Sequence, residues 1–148
     1  MKLLKKDRLN EVTLRFPSRS ANESFARSAA AAFLAQLDPT VEQVYDIKTA
    51  VSEAVTNAIV HGYRDRLGTI TMTVRIYAPA TAEIIISDKG CGIADVQKAR
   101  EPLFTTGGAD RSGMGFTIME SFMTDLEITS KAGKGTTVHM RRKLQRKQ

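Results

Sequence analysis

The chain has 148 residues, 42% of them hydrophobic, a length that suits one domain with a single sizeable core. No apolar run reaches the roughly 18–20 residues of a membrane-crossing helix, the first residues lack the apolar stretch of a secretion signal, and the one cysteine, Cys91, excludes an internal disulfide; these features read as a cytoplasmic protein without membrane association. The net charge of +6 sits at the ends, with +3 over residues 1–8 and +5 over 141–148 against −2 for the body, so basic tails at about 1–9 and 142–148 flank a slightly acidic domain and direct DNA binding is not expected.

In chain order, the alternation of Val12, Leu14 and Phe16 predicts a half-buried strand. Ser20 with Glu23 forms a capping-box pattern that opens a helix running through Leu37, with Phe25, Ala29, Ala32 and Phe33 along one side. The sequence LDPT breaks it, and Thr40 with Gln43 opens a second, longer helix in the same way, its core stripe being Val44, Ile47, Val51, Val55 and Ala58. On that helix Glu53, Asn57 and His61 recur at steps of four, so a carboxylate, a carboxamide and an imidazole share one row. Ala50, Ala54 and Ala58 run beside it as a lane too small to keep out a ligand. A solvated face is the ordinary explanation of such a row.

Ile70, Met72, Val74 and Ile76 alternate as a strand, and EIIISD is so continuously apolar that it predicts a central strand. A short helix near 95–100 follows, then the Gly- and Thr-rich stretch EPLFTTGGADRSGMG without regular structure. FTIMESFM resumes helical spacing, and DLEITS with TTVHMRR closes the chain as a hairpin. Helices and hairpin-linked strands in blocks favour an α+β fold for a single domain over 1–148. The expected form is a two-layer sandwich in which a mixed, mostly antiparallel sheet is covered on one face by helices. The strand order is not legible in this pattern, and the second face of the sheet is left exposed or used for association.

Chemistry concentrates in four blocks. Glu53 and Asn57 lie on the second helix. Asp88, at a strand end, is followed by Gly90 and Gly92, which would let a flat ring approach the backbone beside a carboxylate. Gly107 and Gly108 permit a flexible loop, while Gly113 and Gly115 open a helix whose free amide groups would face an anion. This cluster lacks the Lys-Ser/Thr of a P-loop. Gly135, Thr136 and Thr137 begin the last strand. In this order the blocks resemble the N box and the three glycine-containing boxes of the GHKL superfamily of ATP-binding domains. NESFAR, AQLDPT, IKTAVSEAVTNAIVHGY, PLFTT and RSGMGFTIMESFM resemble, more closely, the bacterial anti-sigma factors with serine kinase activity, above all the sporulation group that acts on sigma-F. The resemblance spans about residues 10–141 and departs at the ends and at GGADRSG.

That resemblance implies a Bergerat-type fold that binds ATP and Mg²⁺. It implies that Asn57 gives its amide oxygen to Mg²⁺, that Glu53 orients and deprotonates the attacking hydroxyl, and that Asp88 accepts from the adenine amino group. Gly90 and Gly92 would leave room for the base and Thr137 would support it. Thr105, Thr106, Arg111, Ser112, Gly113 and Gly115 would cover and cradle the phosphates, and Arg27 would contact protein partners. The implied protein is a homodimeric anti-sigma factor and protein-serine kinase. It would bind and inhibit a sigma factor of the sigma-F type and phosphorylate a serine of an anti-anti-sigma factor. A general-stress kinase of the same family differs only in partner. A non-catalytic, nucleotide-regulated binding module would have no use for Glu53. His61 and Cys91 read as structural.

Overall fold

The computed structural model describes residues 2–101 and 115–144. A five-stranded sheet is ordered β1-β2-β3-β5-β4, with β1 Arg8–Pro17, β2 Thr69–Tyr77, β3 Thr81–Asp88, β4 Asp125–Lys131 and β5 Gly135–Lys143. All four pairings are antiparallel, where the sequence left room for a mixed sheet. The nearly all-apolar β3 is the central strand. Helices α1 Ala21–Leu34, α2 Val41–Asn57 and α4 Gly115–Phe122 cover one face, and the short α3 Val96–Ala99 lies beyond β3.

Strand periodicity explains the division into two layers. Phe16, Ile70, Met72, Val74, Ala82, Ile84, Ile86, Val138 and Met140 occupy alternate positions and are all buried beneath the helices. Their counterparts from α2 are Ile47, Val51, Val55 and Ala58, so most of the core stripe read from the sequence is present, while Val44 is only half-buried. The lane of Ala50 and Ala54 is also fully buried. It is not open to a ligand, because α2 is packed against α1 and α4, and α1 buries small residues of its own, Ala26 and Ala30. The buried side of α1 is thus Ala26, Ala30 and Leu34, one position on from the expected stripe, and Phe25 is exposed.

Helix starts differ in how they are made. Thr40 is extended and its hydroxyl accepts from Gln43 N–H at 3.1 Å, while the Gln43 side chain accepts from Thr40 N–H at 2.9 Å. This capping box contributes about 1 kcal/mol. Ser20 has helical backbone angles and makes no side-chain cap; Glu23 pairs with Arg27 instead. The first helix gives way to a 3-10 turn, Ala35–Leu37, and Asp38 in the left-handed region precedes Pro39 and ends it.

On the open face of the sheet one row of charges crosses every strand in register: Glu11, Arg75, Glu83, Arg141, Asp125. Alternating signs at adjacent positions give ion pairs throughout, Arg75 to Glu11 at 2.8 Å and Glu83 to Arg75 at 3.2 Å and Arg141 at 3.4 Å, and the His139 ring is hydrogen-bonded to Glu83 at 2.7 Å. Arg141 also reaches Asp125 and Glu127. On the helix side Arg142 pairs with Asp46 of α2 at 3.0 Å and donates to the Phe122 carbonyl at the end of α4. The basic C-terminal tail therefore starts later than the charge count suggests, since Arg141 and Arg142 belong to β5 and are neutralised within the fold.

Glu83 holds this row together. Burial alone would raise its carboxyl pKa, but hydrogen bonds from His139, Tyr77 and Arg75 outweigh that and lower it from 4.5 to about 2. A lowered folded-state pKa contributes stability that is complete above the unfolded value and is lost as pH falls towards the folded one. Glu83→Gln should cost about 3 kcal/mol at pH 7 by urea unfolding, since it removes the one buried carboxylate that Arg75 and Arg141 share and leaves an amide among donors. The gap between variant and wild type should narrow as pH falls from about 4.5 towards 2; a gap independent of pH would show that the carboxylate charge is not what the row depends on.

Candidate functional site

The row on α2 does not continue as a regular helix. After Asn57 the backbone widens into a π-helical turn, Ala58–Tyr63, ended by Arg64 with a positive φ of 53°. Such turns place a residue out of the 3.6-residue register and are frequent at functional sites. Here the turn carries His61 off the stripe of Glu53 and Asn57 and brings Gly62 and Tyr63 against the loop after β3. His61 offers its carbonyl to the Cys91 thiol at 3.0 Å.

Glu53 and Asn57 face the start of α4. A Cβ placed on Gly115 would stand 3.1 Å from Asn57 Nδ2, 3.2 Å from its Oδ1 and 3.3 Å from Glu53 Oε2. One carboxylate and one carboxamide thus converge on the first residue of a helix that has no side chain there to obstruct them. An amide oxygen and a carboxyl group are the kinds of donor that a hard cation or a hydroxyl proton can meet.

Asp88 lies at the other end of the π-helical turn. Its Oδ1 accepts from Gly90 N–H at 2.8 Å, and Thr136 N–H on the neighbouring strand also donates to the carboxylate. Burial pushes the carboxyl up from its ordinary value, against these two backbone donors that hold it down. Gly62 leaves space for the carboxylate: a Cβ there would be 2.9 Å from Oδ1. Gly90 packs on the Gly62 backbone, with Cys91 N–H donating to the Gly62 carbonyl at 2.8 Å. Gly92 has a φ of 73°, and a Cβ would come within 2.1 Å of the Lys131 carbonyl. The hairpin between β4 and β5 closes the far side: Gly133 N–H donates to Cys91 O at 2.7 Å and Ile93 N–H to Ser130 Oγ at 2.7 Å.

Of the residues expected at a nucleotide site, Glu53, Asn57 and Gly115 are therefore in one group, and Asp88, Gly90 and Gly92 in a second, joined by the π-helical turn. Thr137 is not with them. Its hydroxyl lies 3.0 Å from that of Ser87 on the open face of the sheet. Thr136 is the residue opposite Asp88 in register and on the helix side, where its hydroxyl meets Ser130 Oγ at 2.8 Å. Counting back in twos from Met140 and Val138 was the signal for Thr136. Gly62, Tyr63 and Ser130, none of them singled out from sequence, hold the Asp88 loop. Thr105, Thr106, Arg111, Ser112 and Gly113 lie outside the described residues. Arg27 is on α1, half-exposed, and donates to both Glu23 carboxylate oxygens at 3.1 and 3.2 Å. Among the described residues no cluster of His, Cys, Asp and Glu could by itself hold a metal ion, and no helix is long and apolar enough to cross a membrane.

Residues 16–142 match the family model described as histidine kinase-like ATPase domain. An anti-sigma F factor of Thermoanaerobacter is 56% identical over 133 residues, which is 88% of this chain and 92% of that protein. The anti-sigma F factor of Geobacillus kaustophilus is 52% identical over 90% of this chain and 92% of its own length. Among solved structures, the RsbU and RsbW domains of Rv1364c from Mycobacterium tuberculosis superpose with a TM-score of 0.68 at 20% identity, covering 93% of this chain and 33% of that one. The mycobacterial sensor histidine kinase MprB gives a TM-score of 0.58 at 15% identity, covering 92% and 100%. These two establish likeness of fold.

Gly90→Ala should be the costlier of two glycine replacements. Its Cβ would fall 2.2 Å from the Gly62 carbonyl oxygen, backbone that cannot rotate aside, so a loss of about 2 kcal/mol or more is expected. At Gly133 the space is open and only the φ of 79° opposes a side chain, a cost of about 1 kcal/mol. Thermal melting of the two variants gives the order; equal costs would mean that the Gly62–Gly90 approach is not a constraint on the fold.

Proposed function

We propose, for a chain that belongs to the anti-sigma F factor family and carries its histidine kinase-like ATPase domain, that it is a Mg·ATP-dependent protein-serine kinase. In this reading it binds and inhibits a sigma factor and phosphorylates a serine of an anti-anti-sigma partner. Family membership rests on the matched residues 16–142 and on relatives more than 50% identical. The observation that carries the kinase reading is the convergence of the Glu53 carboxylate and the Asn57 carboxamide on Gly115. A module that only held a nucleotide would need the carboxamide but not the carboxylate beside it.

The donor set fits Mg·ATP. Asn57 offers a neutral oxygen to a cation that prefers oxygen and keeps most of its shell as phosphate and water. Asp88, aimed past Gly62 and Gly90, offers an acceptor to the adenine 6-amino group, which guanine's keto oxygen cannot replace. Thr136, on the same face of the sheet, is better placed than Thr137 to support the base. When bound, Mg·ATP supplies the phosphoryl group and the metal charge that offsets it. Glu53 takes the proton of the partner's serine hydroxyl on its carboxylate and orients the oxygen for attack. The N-terminus of α4, beginning at Gly115, favours negative charge near it, and Thr105, Thr106, Arg111, Ser112 and Gly113 are assigned to the phosphates from the sequence. The protein partners are assigned to the outer surface of α1 around Arg27. A homodimer and a cytoplasmic location belong to the same reading.

Two variants, measured together, separate the parts of this site. Glu53→Gln should bind Mg·ATP normally and lose phosphate transfer to the anti-anti-sigma serine by about 10²- to 10⁴-fold, the usual loss on removal of a general base. Asn57→Ala should lose Mg·ATP binding itself. Isothermal titration and radiolabel transfer on one preparation provide both readouts. Full transfer by the Glu53 variant would remove Glu53 as the general base, and absence of transfer by the wild type would leave a nucleotide-regulated binding module as the reading.

Arg27→Glu should weaken association with the sigma factor and with the anti-anti-sigma factor while ATP affinity stays within about 2-fold, because Arg27 is half-exposed on α1, paired with Glu23 of the same helix and not with the row on α2. Pull-down and titration decide this. Normal association with both proteins would place docking elsewhere.

A further inference from the structure

We propose that Tyr63 is a positioning residue for nucleobase discrimination: its buried hydroxyl fixes the backbone that follows Asp88 and so sets the preference for a 6-aminopurine. The proposal deepens the reading above and rests on Asp88 meeting the base.

Tyr63 closes the π-helical turn and is only 4% exposed. Its ring fills the space at Gly68, where a Cβ would come within 2.1 Å of it, and the Arg66 guanidinium lies over the ring 5.4 Å from the centroid. The hydroxyl at the tip is fully committed. It donates to the Thr69 carbonyl at 2.6 Å and accepts from Lys89 N–H at 2.8 Å. A buried phenol with both functions used is rigid, and rigidity is what a specificity contact needs.

The loop after β3 is fixed through three successive backbone N–H groups. Lys89 N–H goes to Tyr63, Gly90 N–H to Asp88 itself, and Cys91 N–H to the Gly62 carbonyl. Tyr63 is the only one of these acceptors that is a side chain other than the base-recognising carboxylate. It can therefore be altered without touching Asp88 or the glycines. Loss of the hydroxyl frees Lys89, the residue next to Asp88, and the carboxylate, still met by Gly90 and Thr136 N–H, loses the anchor on the backbone that follows it. The effect falls on ligands that use the carboxylate. ITP carries a keto oxygen where ATP carries the amino group, so its 6-position cannot donate to Asp88 and its affinity depends far less on where Asp88 points.

Tyr63→Phe keeps the ring under Gly68 and removes one oxygen. Binding of ATP and ITP with Mg²⁺ to the full chain is measured by titration, alongside the melting temperature. Wild type should prefer ATP over ITP by about 10-fold or more; the variant should lose most of that preference through weaker ATP binding, with ITP changed less than about 2-fold. A merely structural role would weaken both nucleotides together and leave the ratio intact, which would overturn the proposal. Wild type that binds ATP and ITP equally would remove Asp88 from the base, and the Tyr63 proposal with it. Amide hydrogen exchange without nucleotide gives a second readout: Lys89 N–H should exchange about 10-fold faster or more in the variant while Val55 N–H is unchanged. Unaltered exchange at Lys89 overturns the proposal even if the variant binds nucleotide poorly.

Discussion

The hydrogen bond from Cys91 N–H to the Gly62 carbonyl, 2.8 Å long, joins the helix layer to the sheet at the point on which the candidate site depends. It requires the backbone of a helix end to touch the backbone of a loop, an approach possible only because Gly90 lacks a side chain at the contact, while Gly62 leaves the space beside it to the Asp88 carboxylate. Once made, it sets the distance between two groups of polar residues that share no element. Glu53 and Asn57 belong to α2; Asp88 belongs to β3. The π-helical turn spans the gap, so both ends of an elongated, multiply charged ligand would be gripped by segments held rigid relative to one another.

Charge is arranged to leave that site undisturbed. Arg75, Arg141 and Arg142 could each have been taken for part of a basic surface, yet each is paired with a carboxylate. Arg141 is also fixed between Glu83, Asp125 and Glu127. The net positive charge is thus a property of the composition and of the chain ends rather than of the body. The open face of the sheet satisfies its charges internally instead of through solvent, and the central carboxylate, Glu83, is buried at the price of four partners.

Much of this was legible in the sequence where one physical rule dominates. Alternation in β2 and the apolar run of β3 identified strands, and β3 is central because it is apolar on both faces at Ile84, Ile85 and Ile86. The Thr40–Gln43 box formed as read, because Thr40 follows Pro39 and is extended. The same pattern at Ser20–Glu23 did not cap, because the turn at Pro17, with Arg19 N–H and the Asn22 side chain both donating to its carbonyl, leads Ser20 into helical geometry. The alanine lane looked open for the reason that made it buried: small residues admit a helix as readily as a ligand. Glu53, Asn57 and Asp88 were singled out by type and order, and the structure puts all three on the helix side of the sheet. Thr137 instead falls on the open face and Thr136 opposite Asp88, a pleat parity not carried to the strand's first residues. The π-helical turn has no periodic signature, since one extra residue in a turn leaves the apolar pattern on either side intact.

The clamp at Arg142 adds the last link. Its guanidinium reaches from β5 to Asp46 on α2 and to the final carbonyl of α4, while Tyr45 and Phe122 meet edge to face at 6.4 Å on the outside of the same junction. A cation at a helix C-terminus is favoured by the helix dipole, so α4 is tethered at its end while its beginning, Gly115, faces Glu53 and Asn57. The two helices that bring Glu53 and Asn57 to Gly115 are consequently registered at the far end from that contact. That arrangement lets the polar row keep side chains chosen for reactivity rather than packing: Glu53 and Asn57 are half-buried and contribute little to the core, and the stability that holds them comes from Asp46, Arg142 and the buried alanines instead. Fold and site draw on different residues of one helix, with the apolar and small positions fixing where α2 lies and the row four apart fixing what it can do.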